Sequence, residues 1–129
     1  MSRINTFLLV FMVLSAFYVL GCKKDKETSL IGTFGRTQQF GTEFYKVELQ
    51  FTSDGLLIWT PVDEIPGHTA STVKYDKPAE DRFRIYDDPD CGNEGTYFYS
   101  ANEDGLEVTA LTDECDPRKN AMSGYWERK

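Results

Sequence analysis

The chain has 129 residues and a mass of 14.8 kDa, which is room for one domain. Acidic side chains outnumber basic ones by 21 to 14, a net charge of −7. That balance excludes a basic nucleic-acid footprint or a polybasic membrane patch, because both need clustered Lys and Arg. Apolar residues make up 40% and aromatics 14%, too many for a disordered chain.

Residues 1–22 stand apart. Arg3 is the only charged side chain before Cys22, and the 14-residue run from Phe7 to Leu20 is broken only by Ser15 and Tyr18. A membrane-spanning helix needs about 20 apolar residues, so this run has the length of a signal-peptide core. It ends at Val19-Leu20-Gly21-Cys22, followed at once by Lys23, Lys24, Asp25, Lys26 and Glu27. An aliphatic residue three before Cys and a small residue just before it resemble the bacterial lipobox. The resemblance implies that residues 1–21 are a signal peptide and that Cys22 takes a diacylglyceryl group and becomes the new N-terminus. The lipid of such proteins, palmitate included, totals two or three acyl chains. Several chains hold firmly to a bilayer where one is marginal, at about 0.8 kcal/mol per buried CH₂. Residues 22–29 then read as a lipidated Cys and a solvated tether. Losing Arg3 leaves 13 basic against 21 acidic side chains, a net of −8. The lipobox followed by a charged tether resembles those of Bacteroidetes lipoproteins and implies the cell envelope, at the outer membrane, facing the periplasm or the surface.

From residue 30 onward the pattern is strand throughout. A first strand is expected over 30–38. The clearest covers 44–51, where Tyr45, Val47, Leu49 and Phe51 alternate with Lys46, Glu48 and Gln50. Ser53-Asp54-Gly55 follows, the Asp-Gly pair of a tight hairpin, and 56–60 returns. Trp59 is placed inward near one rim, because Pro61 ends the strand's pairing. After Pro61 and Pro66, segments 69–75 and 81–87 make a second pair, with Phe83 and Ile85 facing one way and Arg82 and Arg84 the other. Segments 95–100 and 106–111 make a third, and 122–128 is the last. Only 117–121 has the character of a helical turn. Phe44 and Phe98 fall on outward faces.

Eight short strands in hairpin order suit a closed antiparallel up-and-down barrel, which leaves no unpaired edge. A two-sheet sandwich fits less well, because the connections are short and sequential. Such a barrel is either packed solid or holds one small ligand. Tyr45, Phe51, Trp59, Phe83, Tyr97 and Tyr99 are bulky enough to plug it, and the pattern is compatible with both states.

With Cys22 assigned to lipid, Cys91 and Cys115 remain, and two thiols in an exported domain pair as a disulfide worth about 3 kcal/mol. A zinc site is the rival, but two Cys and the single His68 fall short of four ligands. Asp87, Asp88, Asp90 and Glu94 offer carboxylates for calcium, yet Pro89 and Gly92 explain the same stretch as a turn. No metal and no cofactor is expected. His68 lies in a turn-rich stretch near Ser71, without a nucleophile elbow. The adjacent carboxylate pairs read as solvated loops, so no catalytic residue is assigned and a non-enzyme is expected.

The domain over 30–129 resembles the lipocalin-like (calycin) domains of bacterial lipoproteins. The likeness opens with Leu30-Ile31-Gly32-Thr33-Phe34, in place of that family's Gly-x-Trp, and continues through Val47-Glu48-Leu49-Gln50-Phe51 and Asp54-Gly55. It closes with Glu94-Gly95-Thr96-Tyr97, Leu106-Glu107-Val108, Asp113-Glu114-Cys115-Asp116-Pro117-Arg118 and Gly124-Tyr125-Trp126. It implies that the last strand closes on the first, with Arg128 packed over an aromatic near the N-terminal end. The likeness bears on architecture more than on ligand; the first functional reading is a barrel that binds a small apolar or amphipathic ligand, with Tyr45, Leu49, Trp59, Phe83, Tyr97 and Tyr99 as contacts. The competing reading is a packed barrel acting through its surface on a protein partner, such as an inhibitor of an envelope hydrolase. A solvent-reachable interior favours the first and a filled interior the second.

Overall fold

The computed structural model describes residues 29–129; the expected signal peptide, Cys22 and most of the expected tether lie outside them. Eight strands follow in chain order: β1 (Gly32–Phe40), β2 (Glu43–Phe51), β3 (Leu56–Pro61), β4 (Ser71–Ala79), β5 (Arg82–Tyr86), β6 (Gly95–Ala101), β7 (Gly105–Thr112) and β8 (Gly124–Arg128). One short helix, α1 (Asp116–Met122), lies between the last two. Each strand pairs antiparallel with the next, and β8 pairs back onto β1, so the sheet is a closed barrel.

The register follows from the alternation of side chains along each strand. Phe34 faces Leu49, Arg36 faces Val47 and Gln38 faces Tyr45 across β1 and β2. Leu49 faces Trp59 and Phe51 faces Leu57 across β2 and β3. Every one of these positions points inward, while Phe44 on the opposite face is 67% exposed. The Asp54-Gly55 turn forms as its composition requires, with Gly55 at φ 86°. Thr52 holds its neck, its hydroxyl accepting the Leu56 N–H at 3.0 Å. Closure rests on Phe34 and Gly35 paired with Arg128 and Glu127. The Arg128 guanidinium lies 4.7 Å from the centre of the Phe34 ring and donates to the carbonyls of Asn102 and Ser29, both at 3.0 Å.

The strand order gives the barrel two unlike ends. At one end lie the tight turns after β2, β4 and β6, together with the entering chain. Leu30 is 2% exposed there and stoppers the interior. At the other end lie the β1–β2 turn, the long connections 62–70 and 87–94, and α1.

Aromatic side chains fill the stoppered half. Phe51 meets Phe34, Tyr75 and Phe83 edge-on at 6.3, 5.1 and 5.1 Å. Phe83 stacks on Tyr97 at 5.3 Å and tilts against Tyr99 at 6.0 Å. Each such side chain contributes about 1.5–3 kcal/mol by burial, and each ring pair about 0.5–1.5 kcal/mol beyond that.

Several boundaries differ from the sequence expectation: β1 covers Gly32–Phe40 rather than 30–38, and Pro61 stays within β3, paired with Val47, instead of ending the strand before it. β4 starts at Ser71 rather than residue 69 and runs on to Ala79. Residues 62–70 form a loop closed by an Ile65–His68 bridge, and a register shift between Asp76 and Ala79 lets the strand pass Pro78. Met122 ends α1 instead of opening β8, and its carbonyl accepts the Trp126 indole N–H at 3.0 Å.

Candidate functional site

The end of the barrel away from the stopper opens into a pocket of about 650 Å³. Its floor is the packed core, where Leu49, Leu57, Ile85 and Met122 are 0–4% exposed, with Val73 partly open beside them. Its rim carries Phe40, Trp59 and His68. The rim rings pack in a corner: Phe40 meets Trp59 at 6.1 Å, Tyr45 at 6.0 Å and His68 at 4.7 Å.

The six predicted contact residues therefore divide. Leu49 and Trp59 line the cavity. Tyr45 stands behind Phe40 at its edge. Phe83, Tyr97 and Tyr99 belong to the packed half, where neighbouring rings occupy their faces. Sequence reasoning did not single out Phe40 and Gln38, both on the inward face of β1. Strict alternation from Phe34 points to both, but Arg36 between them masks the apolar pattern.

Arg36 has a structural task. Its guanidinium lies 4.0 Å from the centre of the Trp126 ring. It donates to the carbonyls of Ser123 at 2.6 Å and Ala121 at 2.5 Å, closing the end of α1 where helix carbonyls lack partners.

The far side of the mouth is pinned by a disulfide and a buried ion pair. Cys91 and Cys115 are bonded, as expected from the cysteine count, and tie the 87–94 connection to the start of α1. Both cysteines face the cavity. Arg118 lies behind them, with its side chain only 6% exposed and that of Asp113 fully covered. Its Nε and Nη2 each reach an Asp113 oxygen at 2.8 Å, and Nη1 reaches the Asn93 carbonyl at 3.0 Å and Asp88 at 3.4 Å. The Tyr97 hydroxyl and the Cys115 N–H also donate to Asp113.

Burial by itself raises the Asp113 carboxyl. The hydrogen bonds from Arg118, Tyr97 and Cys115 outweigh it and hold the group below its ordinary value. Burial, then the bond to Asp113, pushes the Tyr97 phenol well above its ordinary value. The bond to Asp113 keeps Arg118 charged. Gly95 leaves room for this pair: a Cβ there would fall 2.5 Å from an Asp113 oxygen and 2.9 Å from Arg118. The Asp-x-Cys spacing with a following Arg was the legible signal for this cluster.

Chemically the pocket is mixed: apolar side chains form its floor, and Gln38, Gln39, Thr69, Ser71 and Asn120 stand among the polar residues that line it. The charged residues on its wall are Asp88, Asp90 and Arg118, and Arg118 is committed to its partners. Two wall side chains carry buried atoms without a hydrogen-bond partner, Gln38 Oε1 and Trp59 Nε1. His68 and Ser71 both border the pocket. Among the described residues no group of three or more His, Cys, Asp or Glu is placed to hold a metal ion. Comparison of the chain with protein-family models, curated proteins and solved structures finds no match.

Proposed function

We propose that this chain is a lipid-anchored protein of the cell envelope whose barrel binds a small apolar or amphipathic ligand and performs no catalysis. The observation that carries the binding reading is the pocket at the open end of the barrel. Its volume of about 650 Å³ falls in the range of small-molecule pockets, about 300–1,000 Å³. Its lining joins an apolar floor and the rim aromatics Phe40 and Trp59 to polar side chains that could orient a bound molecule. A barrel filled to both ends would have favoured a surface-acting partner protein instead.

The anchor reading rests on Val19-Leu20-Gly21-Cys22 after a short apolar run. It fits the position of the mouth. The described chain enters at the stoppered end, where Ser29 is held by Arg128. A lipid on Cys22 would attach to that pole through a tether reaching at most about 25 Å. The attachment point and the mouth would then lie at opposite ends of the barrel.

The test is intrinsic fluorescence with a panel of lipids, sterols and haem-like molecules. Trp59 borders the cavity, whereas Trp126 is fully buried under Arg36. A bound ligand quenches or shifts the emission; Trp126→Phe keeps that response and Trp59→Phe loses it. A folded protein with no response across the panel refutes ligand binding. A response from Trp126 alone refutes the site.

A further inference from the structure

We propose that the amphipathic ligand of this pocket presents a sugar ring to the rim, so that the chemical class taken is a saccharide, free or carried on an apolar group. This rests on reading the pocket as a ligand site and names the chemistry it takes.

The first observation is where a bound molecule can touch the protein. The floor residues Leu49, Leu57 and Ile85 are 0–2% exposed, so they offer a seat for a short apolar group and no channel for a long chain. The surface that solvent reaches is the rim, where Phe40 and Trp59 are half-buried and His68 is exposed. These three rings stand at 65°, 53° and 62° to one another. No two of them form the parallel slot that grips a flat ligand from both faces. A splayed corner instead suits a puckered ring, whose C–H face packs on an aromatic side chain through dispersion and weak C–H contacts.

The second observation is the set of exposed hydrogen-bonding side chains around that corner. Thr69 and Ser71 line the pocket beside His68, where the chain passes from β3 to β4. Asn120 of α1 and Asp90 of the 87–94 connection line it as well, and both are exposed. The helix joins β7 to β8, four strands round the closed barrel from the connection that carries His68. Polar groups therefore approach the mouth from two sides. Among the described residues, none pairs with the side chains of Thr69, Ser71, Asn120 or Asp90. Hydroxyl and amide groups both donate and accept, and a carboxylate accepts from two hydroxyls at once. A simple alcohol engages one such group, whereas a ring bearing several hydroxyls spans both sides. A sugar supplies what each part of the rim requires: a C–H face for the rings and a hydroxyl edge for the polar side chains.

The test is calorimetric titration of the full-length protein, with its disulfide intact and in buffer free of glycoside detergents. The probes are octyl β-glucoside, octyl β-galactoside and octyl α-mannoside, each below its micelle concentration, against octanol and the corresponding methyl glycosides. At least one octyl glycoside should bind about tenfold more tightly than octanol. The methyl forms separate the sources: equal affinity of methyl and octyl forms supports a free sugar, and weaker methyl binding supports a sugar on an apolar group. Asp90→Ala and Asn120→Ala should each lower glycoside affinity about threefold and leave octanol affinity unchanged. Trp59→Ala should lower glycoside affinity about tenfold. Phe44→Ala removes an exposed ring from the outer face and should change nothing. Unchanged circular dichroism shows that the variants fold. Octanol binding as tightly as every glycoside overturns the saccharide inference while ligand binding stands. Glycoside binding that survives all three pocket substitutions, or that falls with Phe44→Ala, overturns the placement at the rim. No binding of any probe removes the ligand-binding reading itself, and this inference with it.

Discussion

Replacing Arg118 by Met tests how much of the mouth's integrity depends on the buried ion pair. The side chain of Arg118 is 6% exposed and that of Asp113 is fully covered. The two-pronged contact at 2.8 Å on both arms is the geometry in which a charged pair repays its desolvation. Methionine fills much of the space but strands the Asp113 carboxylate with only the Tyr97 hydroxyl and the Cys115 N–H. Removing one partner of a buried pair costs about 3–5 kcal/mol, against a total stability for such a domain of about 5–15 kcal/mol. A domain near 100 residues loses roughly 4–8 °C per kcal/mol, so the melting temperature should fall by roughly 12–40 °C. The assay is thermal and urea unfolding followed by near-ultraviolet circular dichroism, with the disulfide kept oxidised. The double variant Arg118→Met/Asp113→Leu removes both charges. It should be more stable than Arg118→Met, because no carboxylate is left stranded. A cost below about 1 kcal/mol for Arg118→Met, or a double variant as unstable as the two single losses combined, would refute the reasoning.

The same pair sets an acid limit. Asp113 is held below its ordinary value in the folded protein, so its contribution is complete above the ordinary carboxylate range and is lost as pH falls through the lowered value. Urea midpoints should drop on acidification below about pH 4, and Asp113→Asn should flatten that slope while lowering stability at neutral pH. The bond between Cys91 and Cys115 closes a loop with a sequence separation of 24; Cys91→Ala/Cys115→Ala should cost about 3.5 kcal/mol, and an equal urea midpoint would deny the disulfide any stabilising role. Gly95→Ala should destabilise the barrel by about 1–3 kcal/mol, since its methyl group would push on two side chains that cannot move apart without breaking their bonds; an unchanged melting temperature would show that this corner can relax. Cys22→Ala should release the protein from membrane fractions or leave its precursor uncut, and a variant that matures and fractionates like the parent would end the lipid-anchor proposal.

The eight strands and their order were legible in the letters because strand alternation and turn chemistry are local properties. Tyr45, Val47, Leu49 and Phe51 declare one face of β2 without reference to any other strand, and Asp54-Gly55 forms its turn from the φ freedom of a single glycine. The pairing of Cys91 with Cys115 followed from counting. The closing contact of Arg128 on Phe34 came from the family likeness and lies where it was expected.

What the tertiary structure decided is which end of the barrel is packed and which opens into a pocket. Phe83 and Trp59 are both large inward aromatics near the ends of short strands, and composition does not distinguish them. Register places Phe83 opposite Tyr97, beside Phe51, so three rings converge and fill one half. Trp59 instead leans on Phe40 and His68 at the rim, and the space beside it stays open. The inward placement of Arg36 and Gln38 was hidden for a related reason. An apolar pattern cannot announce a charge inside a barrel, because its tolerance depends on distant partners: here the carbonyls ending α1, 84–87 residues further along the chain. Asp113 and Arg118 are near neighbours in sequence, but their burial requires Tyr97, Asp88 and the space over Gly95. Local periodicity determines the strands; the meeting of side chains from eight strands and one helix determines the pocket.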